Sequence, residues 1–281
     1  MATHRAAVLG SPVAHSLSPL LHRTGYAATG LHDWTYDAHE VRAGGLADFL
    51  VGLGPQWRGL SLTMPLKEES LLLATECTPL ALQVGAGNTL VRRPDGGWLA
   101  DNTDVAGVRG ALCAAHEGGE HPARATIIGS GATARAVLAA LDQIGITEVT
   151  FVVRDQVRES TLAQAHDHGM TVSTRRFSDP VADWADAQLM VSTTPPGAAD
   201  TVAIALAQRP APPGQVVLDC VYADWPTSLA TISEQRGARV LSGVEMLVHQ
   251  AAAQFRMMTG VEPPLEAMTE AGRAALEPAA S

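Results

Sequence analysis

Short apolar runs alternate along the chain with longer stretches whose apolar residues recur at helical spacing, the pattern of strands followed by helices. In the first third, Arg5 to Gly10, Trp34 to Val41 and Gly59 to Thr63 read as strands, and Ser18 to Thr29, Gly44 to Gly52 and Leu66 to Ala74 as helices. Ser18 followed by Pro19 has the form of an N-cap and a proline at the first helical position. Gly87 to Arg93 and Gly97 to Asp101 meet at Pro94-Asp95-Gly96-Gly97, a hairpin signal. A helix over Asp104 to Ala115 leads into the polar, glycine-rich stretch His116 to Pro122, expected to be a loop.

A regular βα pattern then begins. Ala125 to Gly129, Glu148 to Val153, Thr171 to Thr174, Ala187 to Ser192 and Val216 to Val221 read as strands, with helices over Ala132 to Ile144 and Ser160 to His168. Strands alternating with helices predict a parallel sheet covered on both faces. The tail from Gly243 is helical, over Val244 to Thr259 and Pro264 to Leu276 around a Gly260 stop, and Ala279-Ala280-Ser281 reads as a frayed end. The expected fold class is therefore α/β with two domains around a deep cleft. Residues 1–104, completed by 243–281, form an α/β substrate domain with a mostly parallel mixed sheet, and residues 105–242 form a Rossmann-type doubly wound domain.

Length fits that division, since 281 residues exceed one ordinary domain. A hydrophobic fraction of 46 % and a charged fraction of 17 % suit a globular chain that buries real cores. The net charge of −10 argues against a nucleic-acid partner, because phosphate neutralisation needs clustered Lys and Arg. No apolar run approaches the roughly 20 residues of a membrane span, and no signal-peptide pattern opens the chain. Cys77, Cys113 and Cys220 are odd in number and widely spaced, which favours a reducing cytoplasm over a disulfide scaffold. The partner expected is a small molecule, bound by a monomer or homodimer.

Candidate chemistry begins at Ile128-Gly129-Ser130-Gly131-Ala132-Thr133-Ala134, a strand, glycine turn and helix start. The first glycine allows the tight turn, the second lets backbone approach a pyrophosphate seated on the helix N-terminus, and Ala134 permits close packing. A plain tight turn is the bland reading. The ribose-reading position falls at Val153-Arg154-Asp155-Gln156. An acid there favours NAD, and an arginine favours the 2′-phosphate of NADP. Arg154, with Arg158 a turn later, leans to NADP, while Asp155 keeps NAD possible.

Four other stretches carry polar residues that a packed core does not need. Ser16 and Ser18 stand ahead of a helix, where they suit a carboxylate or serve only as caps. Lys67 follows Thr63 and Pro65 at a strand end, where a solvated lysine is the default. Asn88 sits at the bend Gly85-Ala86-Gly87-Asn88-Thr89. Asp104 ends Asp101-Asn102-Thr103-Asp104 and either caps the next helix or faces a site.

Taken in order, these stretches resemble the shikimate dehydrogenase family. Its S-x-S-P turn is matched by Ser16 to Pro19, T-x-P-x-K by Thr63 to Lys67, G-A-x-N-T by Gly85 to Thr89 and N-T-D by Asn102 to Asp104. Its strand ending in D-x-x-Y is matched by Asp219 to Tyr222, and its G-x-x-M-L-x-x-Q-A helix by Gly243 to Ala251. The resemblance implies reversible, NADPH-dependent reduction of 3-dehydroshikimate to shikimate. It implies that Lys67 and Asp104 are the catalytic pair, that Ser16, Ser18 and Tyr222 hold the substrate carboxylate, and that Thr63, Asn88, Asp104 and Gln250 bond the ring hydroxyls. It implies cofactor contacts at Gly129, Ser130, Gly131, Ala132, Thr133, Arg154, Asp155, Thr193, Val221, Gly243 and Met246.

The chain departs from the family's N-R-T element at Val153-Arg154-Asp155, has Ser61 for a common Asn, and has Ala132 for a frequent Gly. Two rivals stand beside this reading: an NAD-dependent quinate/shikimate dehydrogenase, and a dinucleotide-binding regulator without turnover. Ten histidines show no zinc-like spacing. His166 and His168 read as solvated, His15 as structural or solvated, and Cys220 as packing in a buried strand.

Overall fold

Strand β1 (His4–Gly10) carries Ala6-Ala7-Val8-Leu9, all buried in the computed structural model, which describes residues 3–116, 122–181 and 183–276. Burial of consecutive residues is what a central parallel strand requires, because both of its faces are covered. β1 pairs in parallel with β2 (Trp34–Glu40) and β3 (Trp57–Leu62), and α1 (Ser18–Thr29) and α2 (Leu46–Val51) make the connections. After α3 (Glu69–Leu73), the short β4 (Glu76–Cys77) and α4 (Pro79–Val84) precede the antiparallel hairpin of β5 (Thr89–Arg92) and β6 (Trp98–Asp101). The sheet order is β2-β1-β3-β5-β6-β4, with β4 parallel to β6. The sheet is mixed, as the hairpin signal required.

The helix expected from Ser18 forms, but Ser18 is its first helical residue and Leu17 its N-cap. The cap function passes back to Ser16, whose Oγ accepts the Ser18 N–H at 3.3 Å. β4 and α4 were not expected. Two residues are too few to show a strand period, although Thr78-Pro79 is a legible helix start, with Thr78 Oγ1 accepting Ala81 N–H at 3.1 Å.

After α5 (Asp104–Ala115), the second sheet is wholly parallel. Its strands are β7 (Arg124–Ile128), β8 (Glu148–Val153), β9 (Thr171–Arg176), β10 (Leu189–Ser192), β11 (Val216–Asp219) and β12 (Arg239–Leu241), in the order β12-β11-β10-β7-β8-β9. The helices are α6 (Ala132–Gln143), α7 (Glu159–Asp167), α8 (Asp200–Leu206) and α9 (Ser228–Gln235). Chain order reverses between β7 and β10, the switch point at which such sheets bind ligands. The sequence pattern missed α8, α9 and the edge strand β12, of whose residues only Leu241 is buried.

Two helices close the chain, α10 (Gly243–Thr259) and α11 (Leu265–Ala274). The chain divides into one unit of Met1–Gly107 with Leu247–Ser281, and another of Val108–Met246. In the first unit, Phe255 and Met258 of α10 pack with Tyr26 and Tyr36 over one face of the sheet, while Leu60, Leu66, Leu90 and Trp98 fill the other. Among the described residues, no helix is long and apolar enough to cross a membrane. Residues 117–121 of the expected loop, and the expected frayed end Ala279-Ala280-Ser281, lie outside the described residues.

Candidate active site

Lys67 sits in the turn between β3 and α3, where its carbonyl accepts Gly87 N–H at 2.7 Å and Ser70 Oγ–H at 2.9 Å. Those bonds fix the backbone and aim the side chain at the start of α5. Lys67 Nζ donates to Asp104 Oδ2 at 2.6 Å, with side-chain exposures of 17 % and 7 %. Asp104 does not cap α5. Asn102 Oδ1 accepts its N–H at 3.1 Å, which frees the carboxylate for Lys67 while the helix N-terminus favours its charge. A half-buried pair of this kind is tenable only when its remaining lone pairs are satisfied. Asn88 Nδ2 meets that need, donating to Asp104 Oδ1 at 2.8 Å.

Asn88 is the hub. Its Oδ1 accepts Thr103 N–H at 2.7 Å and Thr89 Oγ1–H at 2.8 Å, while Nδ2 also donates to Gln250 Oε1 at 3.1 Å. Three residues not expected at the site, Gln254, Ser61 and Tyr36, extend the network. Gln254 Nε2 donates to Thr89 Oγ1 at 2.9 Å and to the Asn88 carbonyl at 3.2 Å, and its Oε1 accepts Ser61 Oγ–H at 2.7 Å. The Tyr36 phenol donates to Ser61 Oγ at 2.6 Å and has the Ser18 hydroxyl as a further hydrogen-bonding neighbour. Burial pushes that phenol well above its usual range. Gln254 lies one helical turn after Gln250 on the same face of α10, a spacing that alone does not mark it as part of a site.

The structure thus brings Lys67, Asn88, Asp104 and Gln250 into one hydrogen-bonded cluster. Thr63 follows β3 with its methyl group against Gly10, where an added Cβ would come within 2.2 Å. Ser16 is half-buried and Ser18 buried at the start of α1. Tyr222, expected to act with these serines, is half-buried in the Val108–Met246 unit.

In that unit, Gly129 has φ +105, and a Cβ there would lie 2.6 Å from Thr193 Oγ1, whose hydroxyl donates to the Ile128 carbonyl at 3.0 Å. Only glycine tolerates both demands. Gly131 is the N-cap of α6, and a Cβ there would have nothing within 4 Å, so its backbone is open to approach. Ser130 ties this turn to α7, accepting Thr161 Oγ1–H on its carbonyl at 2.9 Å. Ala132 and Thr133 open α6. At the end of β8, Arg154, Asp155 and Arg158 are exposed, and Asp155 Oδ1 pairs with Arg176 at 3.6 Å. Gly243 N–H donates to the Val221 carbonyl at 3.0 Å, a Cβ on Gly243 would lie 2.3 Å from the Cys220 carbonyl, and Met246 is buried.

Two sequence expectations are corrected. His168 is not solvated: its side chain is 2 % exposed and its Nδ1 lies 2.9 Å from Asp142 Oδ2. Cys220 lies beyond the end of β11 and is half-buried. His15 and His166 are exposed. Among the described residues no group of His, Cys, Asp and Glu could hold a metal ion.

Comparison with known proteins agrees with this layout. Residues 8–90 match the shikimate dehydrogenase substrate binding domain, and residues 243–271 the shikimate 5′-dehydrogenase C-terminal domain. The NADP(+) shikimate dehydrogenase of Methylobacterium radiotolerans is 35 % identical over 272 residues, 94 % of each chain. The crystal structure of shikimate dehydrogenase from Mycobacterium tuberculosis is 44 % identical, with a TM-score of 0.85 over 96 % of this chain and 99 % of that one. The enzyme from Thermus thermophilus, solved with NADP(H) and shikimate, is 32 % identical with a TM-score of 0.81, covering 97 % and 99 %.

Proposed function

Because the chain belongs to the shikimate dehydrogenase family, we propose that it catalyses the reversible, NADPH-dependent reduction of 3-dehydroshikimate to shikimate. The activity belongs to aromatic amino-acid biosynthesis in the cytoplasm, carried out by a monomer or homodimer. The observation that supports it most directly is the Lys67–Asp104 pair at 2.6 Å, held by Asn88.

The nicotinamide, when bound, supplies the hydride. Negative charge then grows on the substrate C3 oxygen, and the Lys67 ammonium stabilises it and delivers the proton. Asp104 orients Lys67 and accepts a hydrogen bond from the ring. Asn88, Gln250 and Thr63 bond the remaining ring hydroxyls, and the substrate carboxylate is held by Ser16 and Ser18. We assign substrate binding to the unit of Met1–Gly107 with Leu247–Ser281 and dinucleotide binding to Val108–Met246.

The residues present fit a dinucleotide. Gly129 makes the tight turn, and Ser130, Gly131, Ala132 and Thr133 would receive the pyrophosphate at the N-terminus of the 12-residue α6. Thr193, Val221, Gly243 and Met246 would bound the nicotinamide end. Arg154 and Arg158 suit a 2′-phosphate, and the Asp155–Arg176 pair reduces the objection that Asp155 raises. Asp155 nonetheless stays 72 % exposed, the observation that keeps the NAD-dependent quinate/shikimate reading in view.

Initial rates with shikimate and quinate, each with NADP⁺ and NAD⁺, test the proposal. Shikimate with NADP⁺ is expected to be fastest. No turnover in any combination would leave the regulator reading, and a rate seen only with NAD⁺ would overturn the cofactor assignment. Gly129→Ala is expected to weaken NADPH binding by about tenfold or more, since the added Cβ strains the turn by about 1–2 kcal/mol and displaces Thr193. Fluorescence titration checks it, and unchanged affinity would remove the turn from the cofactor site.

A further inference from the structure

The network around Asn88 runs in one direction, and the direction can be deduced from groups whose roles are not negotiable. A backbone carbonyl only accepts and a backbone N–H only donates. Gln254 reaches the Asn88 carbonyl at 3.2 Å, so Nε2 must face it and Oε1 must face Ser61. The Ser61 hydroxyl therefore spends its proton on Gln254 and receives one from the Tyr36 phenol at 2.6 Å. On the other side, Nε2 also donates to Thr89 Oγ1 at 2.9 Å, which leaves the Thr89 proton for Asn88 Oδ1 at 2.8 Å. Thr103 N–H donates to the same Oδ1 at 2.7 Å. The Asn88 carboxamide consequently has one orientation, with Nδ2 turned to Asp104 Oδ1 and Gln250.

We propose that Gln254 is a positioning residue for the reduction, acting through Thr89 and Asn88 to hold the Asp104 carboxylate against Lys67, with Ser61 and Tyr36 anchoring its amide. This rests on the function proposed above. Gln254 is fully buried and Asn88 nearly so, so the bonds are not exchanged with water. A buried chain of this kind rigidifies its members when every one is satisfied, and loses that rigidity when one is removed. Gln254 also ties α10 to two strands of the sheet through Ser61 on β3 and Thr89 on β5. Its role is therefore separable from packing: an apolar side chain of equal length would fill the space but remove the bonds to Thr89 Oγ1 and the Asn88 carbonyl, leaving Asn88 less rigidly placed.

Gln254→Met in the full chain tests this, with Gln215→Met as the control. Gln215 is another fully buried amide, bridging the Ala185 and Ala187 carbonyls at 3.1 and 2.7 Å far along the chain. Gln254→Met is expected to lower kcat by about tenfold or more, as small misplacements of reacting groups do. The KM for NADP⁺ should stay within about twofold, and solvent exchange of the Asn88 side-chain amide protons, read by NMR on the protein alone, should quicken. Gln215→Met should lower Tm and leave kcat and Asn88 exchange unchanged. If Gln254→Met keeps wild-type kcat or wild-type Asn88 exchange, the positioning role is lost. Should that variant fail to fold, Ser61→Ala removes only the anchoring hydroxyl, and the same two readouts must move in the same direction. A wild-type protein inert toward shikimate would instead sink the activity, and Asn88 exchange would still decide the network.

Discussion

Lys67→Met should lower kcat by two to four orders of magnitude, about the contribution of a positioned proton donor, while NADPH binding measured by fluorescence stays near that of the parent protein. Methionine keeps most of the side chain's length and removes its charge. The change leaves Asp104 with Asn88 as its partner but without the ammonium at 2.6 Å. Lys67→Arg separates two roles. A guanidinium retains the positive charge but does not give up its proton, so an arginine variant that recovers much of the rate would assign Lys67 to charge stabilisation, and one as slow as methionine would assign it to proton transfer. Full turnover in Lys67→Met would remove Lys67 from the chemistry altogether.

Acid should destabilise this protein through a buried residue packed against the Tyr36 end of that network. His22 is fully buried on α1, stacked on Tyr36 with ring centroids 4.1 Å apart, and among the described residues neither ring nitrogen makes a hydrogen bond of good geometry, Gln254 being its polar neighbour. Burial lowers its pKa from 6.5 to about 3, and the Gln254 side chain opposes this to a lesser extent. The folded state thus binds fewer protons than the unfolded chain between those two values. Stability from this source is complete above pH 6.5 and falls as the pH drops toward 3, by about 1.4 kcal/mol per pH unit. Chemical denaturation at pH 7 and pH 4.5 should show a loss of roughly 2–3 kcal/mol attributable to His22. His22→Phe keeps a ring against Tyr36 and removes the titration, so its stability should fall less over the same interval. Equal slopes in the two proteins would place the acid sensitivity elsewhere.

Both sheets were legible in the sequence because their central strands are apolar runs bounded by glycine and turn residues, as at Ala6 to Gly10 and Ala125 to Gly129. What escaped was short or at an edge. β4 has two residues and β12 exposes Arg239, so neither shows a period that sequence spacing can detect. Within the site, Lys67, Asn88, Asp104 and Gln250 were legible because each stands where a core needs no polar group. Ser61 and Gln254 were not, for the opposite reason. Ser61 lies inside an apolar strand and Gln254 among alanines and Phe255, positions at which a buried polar residue is read as incidental until its partners are seen. His168 misled because its helix is polar overall, yet its own side chain turns inward to Asp142.

The unit that holds Lys67 and Asp104 takes α10 and α11 from the far end of the chain. On the ribosome, every residue of the intervening unit Val108–Met246 is made before Gln250, Gln254 or Phe255 exists. Until they emerge, Ser61, Asn88 and Thr89 lack the amides that satisfy them, and Tyr26 and Tyr36 lack the ring of Phe255. The second half of the protein can therefore mature while the first half waits, and the nascent first half must be kept from aggregating through an exposed aromatic face. Emergence of α10 is the step that completes the network around Asn88.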